Sequence, residues 1–219
     1  MREMLMDRKN SIELLIEKIK ELKKSPVSRK VDERIREFVE LNRKDSREWF
    51  KELAFCILTA NYSAEGGIRI QQTLGDCFLT CSKEELAEGL RRLGHRFPEA
   101  RAEYIVLARR YSSALKEILT GIGNPFLMRE WLVKNVKGIG YKEASHFLRN
   151  IGYFDLAILD YHILDLLEKH GIVKRPRSMS RKKYLEIEGI LASIAEKTGL
   201  KPGVLDLYLW YMETGKVLK

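Results

Sequence analysis

Trp131-Leu-Val-Lys-Asn-Val-Lys-Gly-Ile-Gly-Tyr-Lys-Glu-Ala-Ser-His-Phe-Leu-Arg149 is the stretch on which the reading of this chain turns. Two helix-forming segments flank Gly138-Ile139-Gly140. Glycines on either side of one aliphatic residue make a tight turn, the glycines taking unusual backbone angles while Ile139 points into a core. Such a turn leaves the first amide N–H groups of the second helix without intrahelical acceptors, and those donors sit at the positive end of the helix dipole. Lys137 adds a charge at the same place. The pattern predicts a helix-hairpin-helix element that grips phosphate through Lys137, Gly138 and Gly140 without reading bases. Standing alone, it also fits an ordinary helical hairpin with a glycine turn.

Helical periodicity extends outward from this element in both directions. Ile12, Leu15, Ile16, Ile19 and Leu22 recur at helical spacing behind Ser11, a candidate N-cap, and a second amphipathic run covers Val31 to Leu41. Asp45 or Ser46 caps a very apolar helix over Trp49–Thr59. Ser82-Lys-Glu-Glu85 fits a capping box, and Pro98 fits the first turn of a long helix to about Leu119. Further helices are predicted over Phe126–Val136, Tyr141–Asn150, Tyr161–His170, Arg181–Lys197 and Pro202–Glu213. No stretch alternates with period two, so the predicted fold is all-α. The basic run Lys174 to Lys183 reads as an exposed loop.

Composition narrows the function classes. Forty Lys and Arg against 31 Asp and Glu leave a formal charge of +9, which suits a polyanionic partner. No apolar run approaches the roughly 20 residues that span a bilayer, and Met1 to Asn10 lacks the apolar core of a signal peptide. Cys56 lies in the apolar run Leu53–Leu58 and reads as a buried, inert thiol. Cys77 and Cys81 lack the spacing of zinc ligands. Together these features predict a soluble, cytoplasmic protein in a reducing compartment, with no metal site and no membrane contact.

Chemistry enters with Lys142 and Asp160. Lys142 lies two residues past Gly140, in the first turn of a helix, where the dipole disfavours a cation. A lysine there costs stability unless it has a task, and the same field favours the neutral amine, the form that attacks carbon. Eighteen residues on, the apolar run Leu156-Ala-Ile-Leu159 ends in Asp160. Taken alone, Asp160 reads as an N-cap for the helix after it.

Val136-Lys-Gly-Ile-Gly-Tyr-Lys-Glu-Ala144 followed by Leu159-Asp-Tyr-His-Ile163 resembles the helix-hairpin-helix DNA glycosylases of the endonuclease III superfamily. Ile57-Leu-Thr-Ala-Asn61 is similar to that superfamily's Leu-Ser-Ala-Gln segment, with Asn61 in place of the polar residue at the DNA interface. The chain lacks a C-terminal four-cysteine cluster, so no iron–sulfur cofactor is expected. Its short helical length and its ending, Leu209-Trp-Tyr-Met-Glu-Thr-Gly-Lys-Val-Leu-Lys219, resemble the compact 8-oxoguanine DNA glycosylase/lyase family of archaea and some bacteria.

The resemblance implies a bifunctional enzyme of base excision repair acting on double-stranded DNA with a damaged purine. Lys142 would be its nucleophile and Asp160 the catalytic carboxylate. Phe97 and Trp210 would wall the base pocket, and the terminal carboxylate of Lys219 would join in recognition. No cofactor is implied, although the superfamily allows a monovalent cation at the hairpin carbonyls. The implied architecture is two helical subdomains flanking a DNA-binding cleft. One is a helical barrel over 50–155 that carries the hairpin (about 126–150), the other 1–49 plus 156–219, and the whole a monomer. A glycosylase for another oxidised or alkylated base, or a non-catalytic clamp built on the same hairpin, are the alternatives.

Overall fold

The computed structural model describes residues 2–219, with side chains from Arg8 onward. Among the described residues every regular element is helical: α1 (Arg2–Lys24), α2 (Val27–Arg43), α3 (Ser46–Thr59), α4 (Ala64–Leu74), α5 (Cys77–Thr80), α6 (Lys83–Arg92), α7 (Pro98–Ala108), α8 (Leu115–Ile122), α9 (Pro125–Asn135), α10 (Tyr141–Asn150), α11 (Tyr161–Lys169), α12 (Arg181–Thr198) and α13 (Pro202–Thr214). A 3-10 turn at Arg109–Tyr111 lies between α7 and α8. Among the described residues no helix is long and apolar enough to cross a membrane.

The chain forms two compact units. A central unit comprises Phe38–Tyr153 together with Lys219, and a terminal unit the residues up to Glu37 together with Phe154–Leu218. The division falls within α2 rather than at residue 49. Residues 38–49 stay with the central unit because their backbone is tied there. The Trp49 indole N–H donates to Leu41 O at 3.0 Å, and the Lys116 ammonium donates to Asn42 O at 2.8 Å and Lys44 O at 2.7 Å.

In the central unit α3 is the hub. It packs against α4, α5, α7, α8 and α10, with Trp49, Phe50, Leu53, Phe55, Ile57 and Leu58 fully buried. Asp45 is its cap, accepting from Arg47 N and Glu48 N. Ser46 instead links to α8, donating to Glu117 Oε2 and accepting from Lys116 N. In the terminal unit α13 packs on α11, α12 and α1 over Leu15, Ile19, Leu167, Ile187, Leu191 and Leu205.

Several elements depart from the sequence reading. Ser11 is not a cap but lies inside α1. The long helix predicted from Pro98 to Leu119 breaks after Ala108. There the Arg109 guanidinium reaches back to Phe78 O and Cys77 O at 2.7 and 3.0 Å. Helix α4 has no counterpart in the sequence reading because Gly66 and Gly67 obscure its first turn. Gly67 is a packing requirement: a Cβ there would lie 2.9 Å from Thr59 Cγ2 and 3.0 Å from the Phe55 ring. Cys77 and Cys81, predicted to stay reduced, are joined in a disulfide across α5, with Cα atoms 4.8 Å apart.

The glycine turn has the predicted form, with one difference. Gly138 alone is left-handed (φ +86°), whereas Gly140 is extended. Gly140 donates its N–H to the Glu143 carboxylate at 3.1 Å, which closes the start of α10. Ile139 is buried. Gly138 answers two constraints at once, since a Cβ there would also stand 2.3 Å from Tyr104 Cδ2 on α7. Gly138→Ala is therefore expected to destabilise the protein by roughly 1–3 kcal/mol from the backbone alone, with displacement of Tyr104 adding to it. Urea unfolding checks this; a midpoint equal to wild type would show that the turn relaxes freely.

Candidate active site

Lys142 is half-buried in the first turn of α10, just beyond the hairpin. The N–H groups of that turn, at Tyr141 to Glu143, have no intrahelical acceptor by helix geometry and face the same end. Lys137 is exposed at the turn, paired with Glu103 at 2.7 Å and lying over the Tyr104 ring. An exposed pair of this kind is weak, so the ammonium can exchange Glu103 for a phosphate.

One helical turn after Lys142 stands His146, buried and edge-on to Phe55. Its proton affinity is held well below the ordinary value by burial, then by the positive charges of Arg149, Lys142 and Lys219. The Lys219 main chain opposes this as an acceptor, although neither ring nitrogen has a well-formed hydrogen bond. The last residue of the chain thus lies beside the α10 face that carries Lys142. Cys56 lies among the same charges. Its thiol is pushed well up by burial and then by Glu52, against Lys142, Lys219 and Arg149, so it stays neutral.

The Lys219 side chain is engaged by α3 and α4. Its ammonium meets Glu52 Oε2 at 2.8 Å, donates to Gln71 Oε1 and lies 4.3 Å from the Phe55 ring centroid. Glu52 also accepts from Asn150 Nδ2 at 2.6 Å and Gln71 Nε2 at 3.0 Å. Sequence reasoning passed over Glu52, His146, Gln71 and Asn150. The available signal was a single carboxylate, Glu52, opening the apolar run of α3.

Phe97 precedes α7, 40% exposed, with Arg96 stacked on it. His95 sets its backbone: Nδ1 accepts from Phe97 N at 3.0 Å, and Nε2 contacts Leu58 O at 3.0 Å. A carbonyl on one nitrogen and an N–H on the other define a neutral ring with its proton on Nε2. Burial lowers the proton affinity of His95 as well. Asn61 follows α3 with φ +60°, a left-handed position that asparagine tolerates. Its placement at this exposed bend has a backbone explanation independent of any ligand.

In the terminal unit, Asp160 ends the buried segment Leu156–Leu159. Side chains of α12 satisfy that segment's backbone. Ala157 N donates to Glu188 Oε1, the Tyr184 hydroxyl donates to Ala157 O, and it accepts from Leu159 N. The Asp160 carboxylate does two things. Oδ1 caps α11 through Ile163 N at 2.9 Å, and Oδ2 accepts the Trp210 indole N–H at 3.0 Å. Trp210 also meets His162 edge-on at 5.3 Å. Among the described residues no group of three or more His, Cys, Asp or Glu side chains could hold a metal ion.

A family model described as 8-oxoguanine DNA glycosylase matches residues 31–200. The chain belongs to that family. The 8-oxoguanine DNA glycosylase/AP lyase of Methanocaldococcus jannaschii is 58% identical over 207 residues, covering 94% of this chain and all of that protein. The Thermotoga maritima protein of the same name is 52% identical over 191 residues, covering 86% and 91%. Among solved structures, the M. jannaschii glycosylase/lyase in complex with a 15mer DNA containing 8-oxoguanine superposes with a TM-score of 0.92 at 57% identity. That match covers 94% of this chain and 100% of that one. The T. maritima enzyme gives 0.89 at 48% identity, covering 95% and 100%.

Within this family member, two buried groups beside the lysines stay neutral, His146 on α10 and Cys56 on α3. The histidines make the arrangement pH-sensitive. His95 and His146 are depressed in the folded state, whereas an unfolded histidine titrates near about 6.5. The unfolded chain therefore binds more protons in the window below that value, and stability falls as pH drops through it. Each histidine contributes a slope of at most about 1.4 kcal/mol per pH unit. Urea midpoints between about pH 7.5 and pH 5 are expected to fall, and less steeply in His146→Leu. Equal slopes in the two proteins would remove His146 from this account.

Proposed function

We propose that the chain excises 8-oxoguanine from double-stranded DNA and then cleaves the strand, with Lys142 as nucleophile and Asp160 as the catalytic carboxylate. The observation that carries the reading is the conjunction of two local structures. A half-buried lysine opens the helix just past a glycine hairpin, and a carboxylate ends a buried segment with its second oxygen on a tryptophan. A backbone clamp needs the hairpin but neither of these groups.

The chemistry balances without a cofactor. Lys142 gives up a proton to solvent and its amine attacks C1′ of the damaged nucleotide, and the bond from C1′ to the base nitrogen breaks, the base leaving with its electron pair and taking a proton. Asp160 faces the positive charge that develops on the sugar and accepts and returns protons as the C1′–O4′ bond then breaks, O4′ taking a proton, and the amine becomes an iminium. The iminium acidifies the C2′ proton. Its loss expels the 3′ phosphate, giving strand cleavage by β-elimination. The hairpin amides and Lys137 hold the backbone, and the nucleotide must leave the stack at a cost of a few kcal/mol.

Phe97 and Trp210 supply aromatic faces for the extruded base, and the Lys219 carboxylate supplies an acceptor. 8-Oxoguanine carries a proton on N7 where guanine carries a lone pair, so an acceptor at that position favours the lesion. An unpaired buried donor there costs roughly 1–3 kcal/mol. Work on the cell's own DNA implies a cytoplasmic enzyme acting at the chromosome.

Borohydride added to the protein and a duplex with one 8-oxoguanine is expected to trap a covalent protein–DNA adduct. Lys142→Ala is expected to give none. An adduct of undiminished yield with Lys142→Ala would move the nucleophile elsewhere. Asp160→Asn keeps a good helix cap but loses the acceptor for the Trp210 indole N–H, so melting temperature is expected to fall modestly and DNA affinity to hold, while excision slows by roughly 100-fold or more. Excision at the wild-type rate would reduce Asp160 to a cap.

A further inference from the structure

We propose that Glu52 is a positioning residue for base discrimination, gripping the Lys219 ammonium so that the terminal carboxylate of the chain stands at a fixed place. The proposal rests on the reading that this carboxylate recognises the lesion.

Glu52 is 3% exposed on the most buried helix of the central unit. A carboxylate at such depth is costly unless its charge is matched and its lone pairs are filled. Asn150 and Gln71 fill lone pairs but carry no charge. The matching cation is Lys219, at 2.8 Å. Packing of α3 would be served by an apolar residue at position 52, as it is at Leu53, Phe55 and Ile57. The carboxylate therefore answers to the chain end.

The partner side of the pair points the same way. A terminal residue ordinarily frays, yet the Lys219 ammonium is held by Glu52, by Gln71 and over the Phe55 ring. With those partners the side chain is an anchor, and the group left to meet a ligand is the carboxylate. Lys219 lies close to His146, one turn from Lys142, because its ammonium overlies the Phe55 ring that meets His146 edge-on. An acceptor that must tell N7–H from a bare N7 works only if it cannot swing away, and misplacement by about 1 Å can cost 100-fold in rate.

The test compares Glu52→Gln, Lys219→Met, the double variant, and a wild-type chain extended by Gly-Ser after Lys219. Three quantities are measured for each: the catalytic efficiency with which 8-oxoguanine is excised, the rate of cleavage at a preformed abasic site, which has no base to read, and the melting temperature. Glu52→Gln and Lys219→Met are each expected to lower excision by roughly 10- to 100-fold, and the double variant to be no worse than the poorer single, because both break one interaction. Abasic-site cleavage is expected to fall less than excision in all three, because an abasic site presents no base to be read. Additive losses, or excision and abasic cleavage falling in parallel with melting temperature, would make Glu52 a stability residue and overturn the proposal. An impaired extended chain beside a fully active Glu52→Gln would overturn the positioning role alone. Full excision by both the extended chain and Lys219→Met would remove the terminal carboxylate from recognition, and this inference with it.

Discussion

The central unit depends on the packing of α3. A helix touched by five others has almost no face left for solvent, and its residues are correspondingly apolar. Its neighbours adapt to it: Gly67 lets α4 approach Phe55 and Thr59, and His95 and Arg101 each deliver a polar group to its final carbonyls, at Leu58 and Ala60. Those side chains satisfy backbone acceptors that the helix end leaves open. Because His95 is fixed by this task, Phe97 is fixed with it through the Nδ1 bond. The position of an exposed aromatic is thus traceable to the need to terminate a buried helix.

The same reasoning separates what was legible in the sequence from what was not. The hairpin and the places of Lys142 at a helix start and Asp160 at a helix cap were legible because each is local: a glycine pattern, a cation after it, an aspartate after an apolar run. Asp45, Ser82 and Pro98 were legible as helix starts for the same reason. Helix α4 was illegible because its glycines serve a contact with a different helix, and intrinsic propensity counts them as breakers. The break after Ala108 was illegible because the groups that compete for Arg109 lie about 30 residues away, at Cys77 and Phe78. Tyr184 and Glu188 hold the segment leading to Asp160 from the far side of a long loop. No periodicity on α12 marks them out.

Charge is used differently on the surface and inside. Of the formal +9, much lies on exposed side chains such as Lys137, whose ion pairs are weak and exchangeable. Such charges suit a backbone that is gripped without being read. Inside, burial holds His146 and Cys56 neutral, so that the positive charges of Lys142, Lys219 and Arg149 face no competing ionisation from either of them. Glu52 is the exception, and it is matched.

The proposed use of the Lys219 carboxylate as the discriminating acceptor has a physical logic. A main-chain carboxylate has no side-chain torsions of its own, but it inherits every uncertainty of the backbone before it. Anchoring Lys219 by its own side chain removes that uncertainty at the residue where the acceptor sits. The anchor must be charged, because a lysine is held most firmly by a buried carboxylate whose remaining lone pairs are filled. A buried ion pair adds little to net stability and is often replaceable by apolar residues without loss. Its presence in the core of α3 is therefore better explained by the geometry it imposes on Lys219 than by the folding of the helix that carries it.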